Sequence, residues 1–379
     1  MWKRWLPIGI IALLVVLFFG GRAYVVWANQ THPDPWPMLG GSAGLRYATR
    51  ATLPRDAQVL WSYPLEPNSF TPPLIDEAGA VYLSSGDNLL VIGPDGKRRW
   101  SWDAPEGIWS TALSRHGSLY VLGHESLFAF DRKGRLEWKA ELPAQPNSRL
   151  VVGQGGNLYY CSAGELHALT SEGKPLWHKE TGNGVNTCPV ETASGLVLVA
   201  GQRDLTAFRP GGEVEWRRTL GRPFTRGQGL AADNRGRIYM RTANAFLVLN
   251  EEGEVQVDRS GQGSPAWNLA VGESVVQEGR ARRDSKGALL WELPPSAFIT
   301  SHFSLVDTEG KLLMVKHVAG GQNTLVLLDS EGATLWVSPD GLNLLTEPAV
   351  SGRGDFCFVA SQSGPEPIAL ICMGEPASE

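Results

Sequence analysis

Cysteine, histidine and net charge are all scarce in this chain, and each scarcity removes a class of function. The four cysteines among 379 residues include no Cys-x-x-Cys pair and no histidines at ligand spacing, so no metal site is expected. Lys+Arg 34 against Asp+Glu 39 leaves a net charge of -5, too balanced for a nucleic-acid binder. Long amphipathic helical runs are missing as well. What abounds is Gly 44, Pro 25 and Trp 14, the composition of many short strands joined by tight turns. The chain reads as all-β.

One apolar run stands apart at the N-terminus. Lys3 and Arg4 precede the uncharged stretch Trp5 to Gly21, followed by Arg22 and the apolar Ala23 to Ala28. A bilayer-spanning helix needs roughly 20 apolar residues, so residues 1–28 read as a signal anchor forming one N-terminal transmembrane helix, with Arg22 snorkelling to the outer interface. Val26-Trp27-Ala28 also offers small residues where a signal peptidase cuts, and both outcomes stay open. In either case the leading positive charges hold the N-terminus inside and send the remainder across. The expected location is the cell membrane, single-pass, with the folded domain on the extracytoplasmic side. No Cys follows the apolar run, which argues against a lipid anchor.

The organising feature is a repeat of Gly, three residues, then Trp: Gly96 with Trp100, Gly134 with Trp138, Gly173 with Trp177, Gly212 with Trp216, Gly287 with Trp291 and Gly332 with Trp336. Gly253 keeps the phase with Val257 in the Trp place, and a degenerate copy pairs Ala57 with Trp61. From Trp61 the spacings are 39, 38, 39, 39, 41, 34 and 45, and a period near 40 is that of a four-stranded propeller blade. An indole at one fixed place per blade, at Trp61, Trp100, Trp138, Trp177, Trp216, Trp291 and Trp336, reads as the residue that covers the gap between neighbouring sheets. The last unit, from about Thr346 to Met373, lacks a Trp-bearing fourth strand, and Val59-Leu60-Trp61 supplies one. The expectation is an eight-bladed β-propeller of four-stranded antiparallel blades over 57–374, its ring closed by an N-terminal strand. Residues 29–56 read as linker and lead-in, and 375–379 as a short tail.

The phrases Ala129-Phe-Asp131-Arg-Lys-Gly134-Arg-Leu-Glu-Trp138 and Leu328-Asp329-Ser-Glu-Gly332-Ala-Thr-Leu-Trp336 resemble the docking motif of pyrroloquinoline-quinone-like propeller repeats. Trp36-Pro37-Met38-Leu39-Gly40-Gly41 is similar to the Trp-Pro-Met lead-in of bacterial members. The resemblance covers residues 36 to 374 and is BamB-like in fold. It implies an envelope scaffold that binds other envelope proteins, with the membrane as a further partner through the N-terminal helix. It also implies an alternative, a ligand-binding or quinone-dependent dehydrogenase-like protein. Such dehydrogenases hold calcium beneath the quinone and commonly set two adjacent cysteines against its ring, whereas Cys161, Cys188, Cys357 and Cys372 are nowhere adjacent. No catalytic residue, metal or cofactor is expected, and the leading reading is a non-enzymatic scaffold.

Candidate binding residues are those leading into the inner strands, which ring one mouth of the channel: Phe70, Trp109, Arg149, Asn186, Arg226, Trp267 and His302. Trp109 and Trp267 fall outside the docking column and read as a channel plug or as a ligand platform. Glu191, Asp233 and Glu347 read as residues of solvated loops or as carboxylates approaching the mouth of the channel, with nothing to fix them as a pair. An Arg-rich stretch from Arg209 to Arg241 reads as a charged solvent face or one positive sector. Cys357 and Cys372 flank a hairpin centred on Gly364 and are expected opposite one another, within reach of a disulfide. Cys161 and Cys188 read as a second bridge or as two buried thiols.

Overall fold

Each Gly-x-x-x-Trp phrase makes the hairpin between the third and fourth strands of one sheet. In the second full repeat Ser126–Phe130 pairs antiparallel with Leu136–Glu141, Ala129 lying opposite Trp138. Between them the Asp131 carboxylate accepts the backbone N–H groups of Lys133 and Arg135, each at 2.9 Å. Gly134 turns the chain at φ +79, a region that strains any residue with a Cβ. A bulge between Ala129 and Phe130 completes the turn expected for a glycine at that place.

The computed structural model describes residues 36–376 apart from 182–187, 202, 221–228, 243–244, 261–268, 279, 295–302, 319–321, 340–341 and 363–367. The apolar N-terminal segment expected to cross the membrane lies outside these residues, and no helix among those described is long and apolar enough to do so.

Eight antiparallel sheets follow one another along the chain. Blades I to VII occupy 74–103, 108–141, 151–180, 190–219, 230–260, 269–292 and 304–337, each with four strands in sequence order. Blade VIII takes Phe356–Gln362 and Ile368–Gly374 from the end of the chain and Gln58–Leu65 from near its start. The ring therefore closes between the two ends and leaves no open seam. That sheet has five strands rather than four, because Leu342–Leu344 and Ala349–Val350 both pair with Phe356–Gln362. Second and third strands such as Leu119–Gly123 and Ser126–Phe130 are buried, while outermost strands such as Leu136–Glu141 are largely exposed.

The tryptophans dock blades by covering the turn glycine of the next blade. A Cβ added to Gly96, Gly134, Gly173, Gly212, Gly253 or Gly332 would stand 2.6–3.4 Å from Trp61, Trp100, Trp138, Trp177, Trp216 or Trp291 respectively. Trp177, Trp216 and Trp291 also donate Nε1–H to the carbonyls of Pro210, Glu251 and Ser330 at 2.6–2.8 Å. Trp336, facing the closing blade, meets Phe356 edge-on at 6.0 Å. These indoles lie on the outermost strands and are only half-buried. Trp138→Ala is therefore expected to cost about 2 kcal/mol, below the full range for a core aromatic. Urea melts of the two proteins measure it, and a loss under ~0.5 kcal/mol would contradict docking.

Residues 36 to 53 are no linker. They pass across the face where the innermost strands end, and the terminal N–H of one strand after another donates to them. Leu113 donates to Pro37 O, Glu191 to Ala43 O, Ala232 to Gly44 O, Val271 to Arg46 O and Val306 to Tyr47 O, at 2.7–3.0 Å, while Ile75 and Trp36 exchange both bonds. These donors belong to blades I, II, IV, V, VI and VII. Trp36, Met38, Leu39, Leu45, Tyr47 and Leu53 are buried. The Trp-Pro-Met-Leu-Gly-Gly phrase folds back on itself: a Cβ on Gly41, φ +72, would meet the Trp36 ring at 2.6 Å. Leu45 and Tyr47 both hold φ +48, a conformation that persists only where the surroundings over-determine it.

Candidate functional site

The lead-in sends one side chain up the channel axis. Tyr47 is 2% exposed and donates its hydroxyl proton to Glu347 Oε2 at 3.0 Å. Phe303 meets its ring edge-on at 6.1 Å. Burial, then the Glu347 carboxylate, pushes the phenol well above its ordinary pKa, with Arg149 opposing them. Arg149 also acts on Cys188, whose thiol is raised chiefly by burial. Tyr47 and Glu347 are thus in direct contact, with Arg149 and Cys188 close enough to act on them electrostatically. Arg149, Cys188 and Glu347 each lie a few residues before an innermost strand, which brings them to the mouth opposite the lead-in's backbone.

Of the residues expected at this mouth, Phe70 is half-buried and bridges to Ser85, packed against the main core. Trp109 does not fill the channel. It is 38% exposed, donates Nε1–H to Ser148 O at 2.8 Å and meets His124 edge-on at 5.8 Å, so it clasps blade II to the entry of blade III. Asn186, Arg226, Trp267 and His302 lie outside the described residues.

The expected carboxylate group divides between the two faces. Glu347 stands at the mouth, but Glu191, which ends the innermost strand of blade IV, and Asp233, in the turn after that of blade V, lie on the lead-in side, and neither is solvated: they are 6% and 5% exposed. Glu191 accepts the N–H of Gln154 at 2.6 Å, and burial raises its pKa. Asp233 holds Arg237 at 2.6 Å and the hydroxyl of Tyr239 at 3.1 Å. The Arg-rich stretch is not one sector either, since Arg241 is buried, Arg237 is bound to Asp233 and Arg209 to Glu215. Beside the lead-in lies a cavity of about 600 Å³ bordered by Arg46, Arg50, Arg115, Glu191 and Asp233.

Cys357 and Cys372 are register partners in blade VIII, 4.1 Å apart at Cα and joined as a disulfide. Cys161 and Cys188 are not bridged. Cys161 belongs to the buried second strand of blade III, and burial pushes its thiol up to about 12. Burial thus favours the protonated thiol at both positions. Alkylation of the unreduced, unfolded chain followed by proteolysis is expected to label Cys161 and Cys188 and to leave Cys357 and Cys372 as a linked peptide pair. Recovery of alkylated Cys357 and Cys372 would show the bridge absent.

Comparison with known proteins places this geometry. The family model described as "Outer membrane protein assembly factor BamB" matches residues 123–370. Among solved structures, BamB from Moraxella catarrhalis superposes with TM-score 0.63 at 15% identity, covering 86% of this chain and 99% of that one. A europium-containing methanol dehydrogenase gives TM-score 0.66 at 9% identity, covering 91% and 99%. Virginiamycin B lyase from Staphylococcus aureus gives 0.55 at 12%, covering 85% and 100%. At such identities these likenesses speak to fold alone. No curated protein matches the chain by sequence.

Proposed function

The chain belongs to the family of the outer membrane protein assembly factor BamB, and from that membership we propose that it is a non-enzymatic, membrane-tethered propeller that binds other proteins of the bacterial cell envelope. The observation that carries the reading is the lead-in. Residues 36 to 53 hydrogen-bond to the ends of the innermost strands and Tyr47 is buried with its hydroxyl on Glu347, so the chain's own lead-in takes up space at the centre of the innermost strands that a propeller enzyme would give to a substrate. The outside offers recognition surfaces: eight outermost strands, each with one unpaired edge among the described residues, to which a partner strand can add. The tether is inferred from Lys3 and Arg4 ahead of the apolar run to Ala28, which also sets the propeller on the extracytoplasmic side.

A quinone cofactor fits the described residues poorly. Cys357 and Cys372 are joined within blade VIII, Cys161 is buried in blade III and Cys188 stands at the entry to blade IV. These positions cannot present two adjacent sulfurs to a ring. The full-length chain extracted from membranes of its native host is expected to co-purify with envelope proteins in fixed stoichiometry. Native mass spectrometry of that material is expected to give the polypeptide mass. A retained quinone together with dye-linked alcohol oxidation would overturn the scaffold reading.

A further inference from the structure

Six seams of the ring hold an indole against a turn glycine; the seam between blades V and VI does not. Val257 stands where the others have Trp, its Cγ1 2.8 Å from the place a Cβ on Gly287 would take. Beside the smaller Val257 lies a cavity of about 520 Å³. Val248, Leu249 and Val257 give it an apolar base, and, with Arg237 held by Asp233, Arg259 and Lys286 outnumber Asp258 around it. The opposite wall has changed too. Where blade II carries Phe130, directly before the turn Asp131, blade VI carries Arg283 before Asp284, with its guanidinium 5.7 Å from the Phe246 ring and Nη1 donating to Gly287 O at 3.2 Å. The carbonyl two residues before the glycine, which takes a Trp Nε1–H in three other seams, is Ser285 O. Among the described residues it receives a long 3.3 Å bond from Arg237 Nη1, and a carbonyl has a second lone pair to offer.

We propose that this seam is a docking site for an aromatic side chain on an extended, acidic segment of a partner protein. The ring lies against Val257, which itself covers Gly287, and an indole N–H reaches Ser285 O. Acidic residues flanking the aromatic meet Arg259 and Lys286. The blade's outermost strand, Val255–Ser260, has an edge beside the cavity that is unpaired among the described residues and along which an extended segment can run. The assignment deepens the protein-binding reading and rests on it.

The probe is a peptide, acetyl-Asp-Glu-Trp-Glu-Asp-amide with 5-fluorotryptophan, observed by fluorine NMR in the presence of the full-length chain. Its resonance is expected to broaden and shift, and binding to weaken about tenfold or more when lysines replace the flanking acids. Val257→Trp fills the seam with the chain's own indole and is expected to abolish binding while raising the melting temperature. Should Val257→Trp fail to fold, Lys286→Glu tests the charge requirement alone and is expected to weaken the acidic peptide. An unperturbed resonance at millimolar protein, or equal binding by the variants, overturns the site. Equal binding of free N-acetyl-5-fluorotryptophanamide, or a self-association lost in Val257→Trp, assigns the seam to a small aromatic or to a second copy and overturns the partner segment. Co-purification separates the two levels. If Val257→Trp keeps every envelope partner of the wild type, the seam fails and the scaffold stands. If the wild type keeps none, the scaffold fails whatever the peptide does.

Discussion

A chain beginning at Pro54 is expected not to fold as a stable propeller, although every repeat and the closing strand Gln58–Leu65 remain in it. Six large apolar side chains of the lead-in, Trp36, Met38, Leu39, Leu45, Tyr47 and Leu53, are buried against the blades. At about 1.5–3 kcal/mol for each buried side chain, their loss is on the order of 10 kcal/mol, comparable with the whole stability of a typical domain. The floor of the channel suffers as well. The terminal N–H groups of Ile75, Leu113, Glu191, Ala232, Val271 and Val306 lose their acceptors, and buried donors without partners are costly. A chain beginning at His32 keeps all of these contacts and is expected to melt as one cooperative unit without the apolar N-terminus. Thermal circular dichroism of the two fragments decides the matter. If the Pro54 chain melts within a few degrees of the His32 chain, the lead-in is a passenger.

The unequal legibility of these parts has a physical cause. The blades announce themselves because one problem, covering the edge of each sheet with its neighbour, recurs near every 40 residues and receives one answer in glycine and tryptophan. Blade VIII was legible for the same reason, since its missing Trp strand matched the spare Val59-Leu60-Trp61. The lead-in solves its problem once, through backbone carbonyls offered to strand ends, and carbonyls leave no trace in side-chain identity. Its only signals were local, the glycines from Gly40 to Gly44 that permit close approach and the apolar Leu45 and Tyr47. Tyr47 with Glu347 joins residues 300 positions apart, a pairing that no spacing rule reaches. The solvated reading of Glu191 and Asp233 failed for a related reason: these strand ends look like surface loops until the lead-in is laid over them.

Asp307→Ala is expected to be the most damaging single substitution at that junction. Asp307 and Lys311 are each 4% exposed and grip Leu53 from both sides. Asp307 Oδ2 accepts Leu53 N–H at 2.9 Å while Lys311 Nζ donates to Leu53 O at 2.7 Å. Asp307 Oδ1 also accepts the N–H of Lys311 at 2.7 Å, and the two side chains approach to 3.7 Å. Removing the carboxylate leaves a buried ammonium with only the half-exposed Glu309, at 3.1 Å, to balance it, besides two backbone N–H groups without acceptors. Breaking a buried pair in this way costs about 3–5 kcal/mol. Asp131→Ala makes the matched control, because it removes the same turn carboxylate where the partner, Arg135, is 75% exposed; about 1 kcal/mol or less is expected there. Urea denaturation ranks the two. Limited proteolysis then locates the damage: with Asp307 gone, Leu53 keeps only the bond from Lys311 of the two that grip it, and cleavage is expected first near Leu53, ahead of any cut within the blades. Equal midpoints for the two variants, or a first cut inside a blade, would show that Asp307 does not hold the lead-in to the ring.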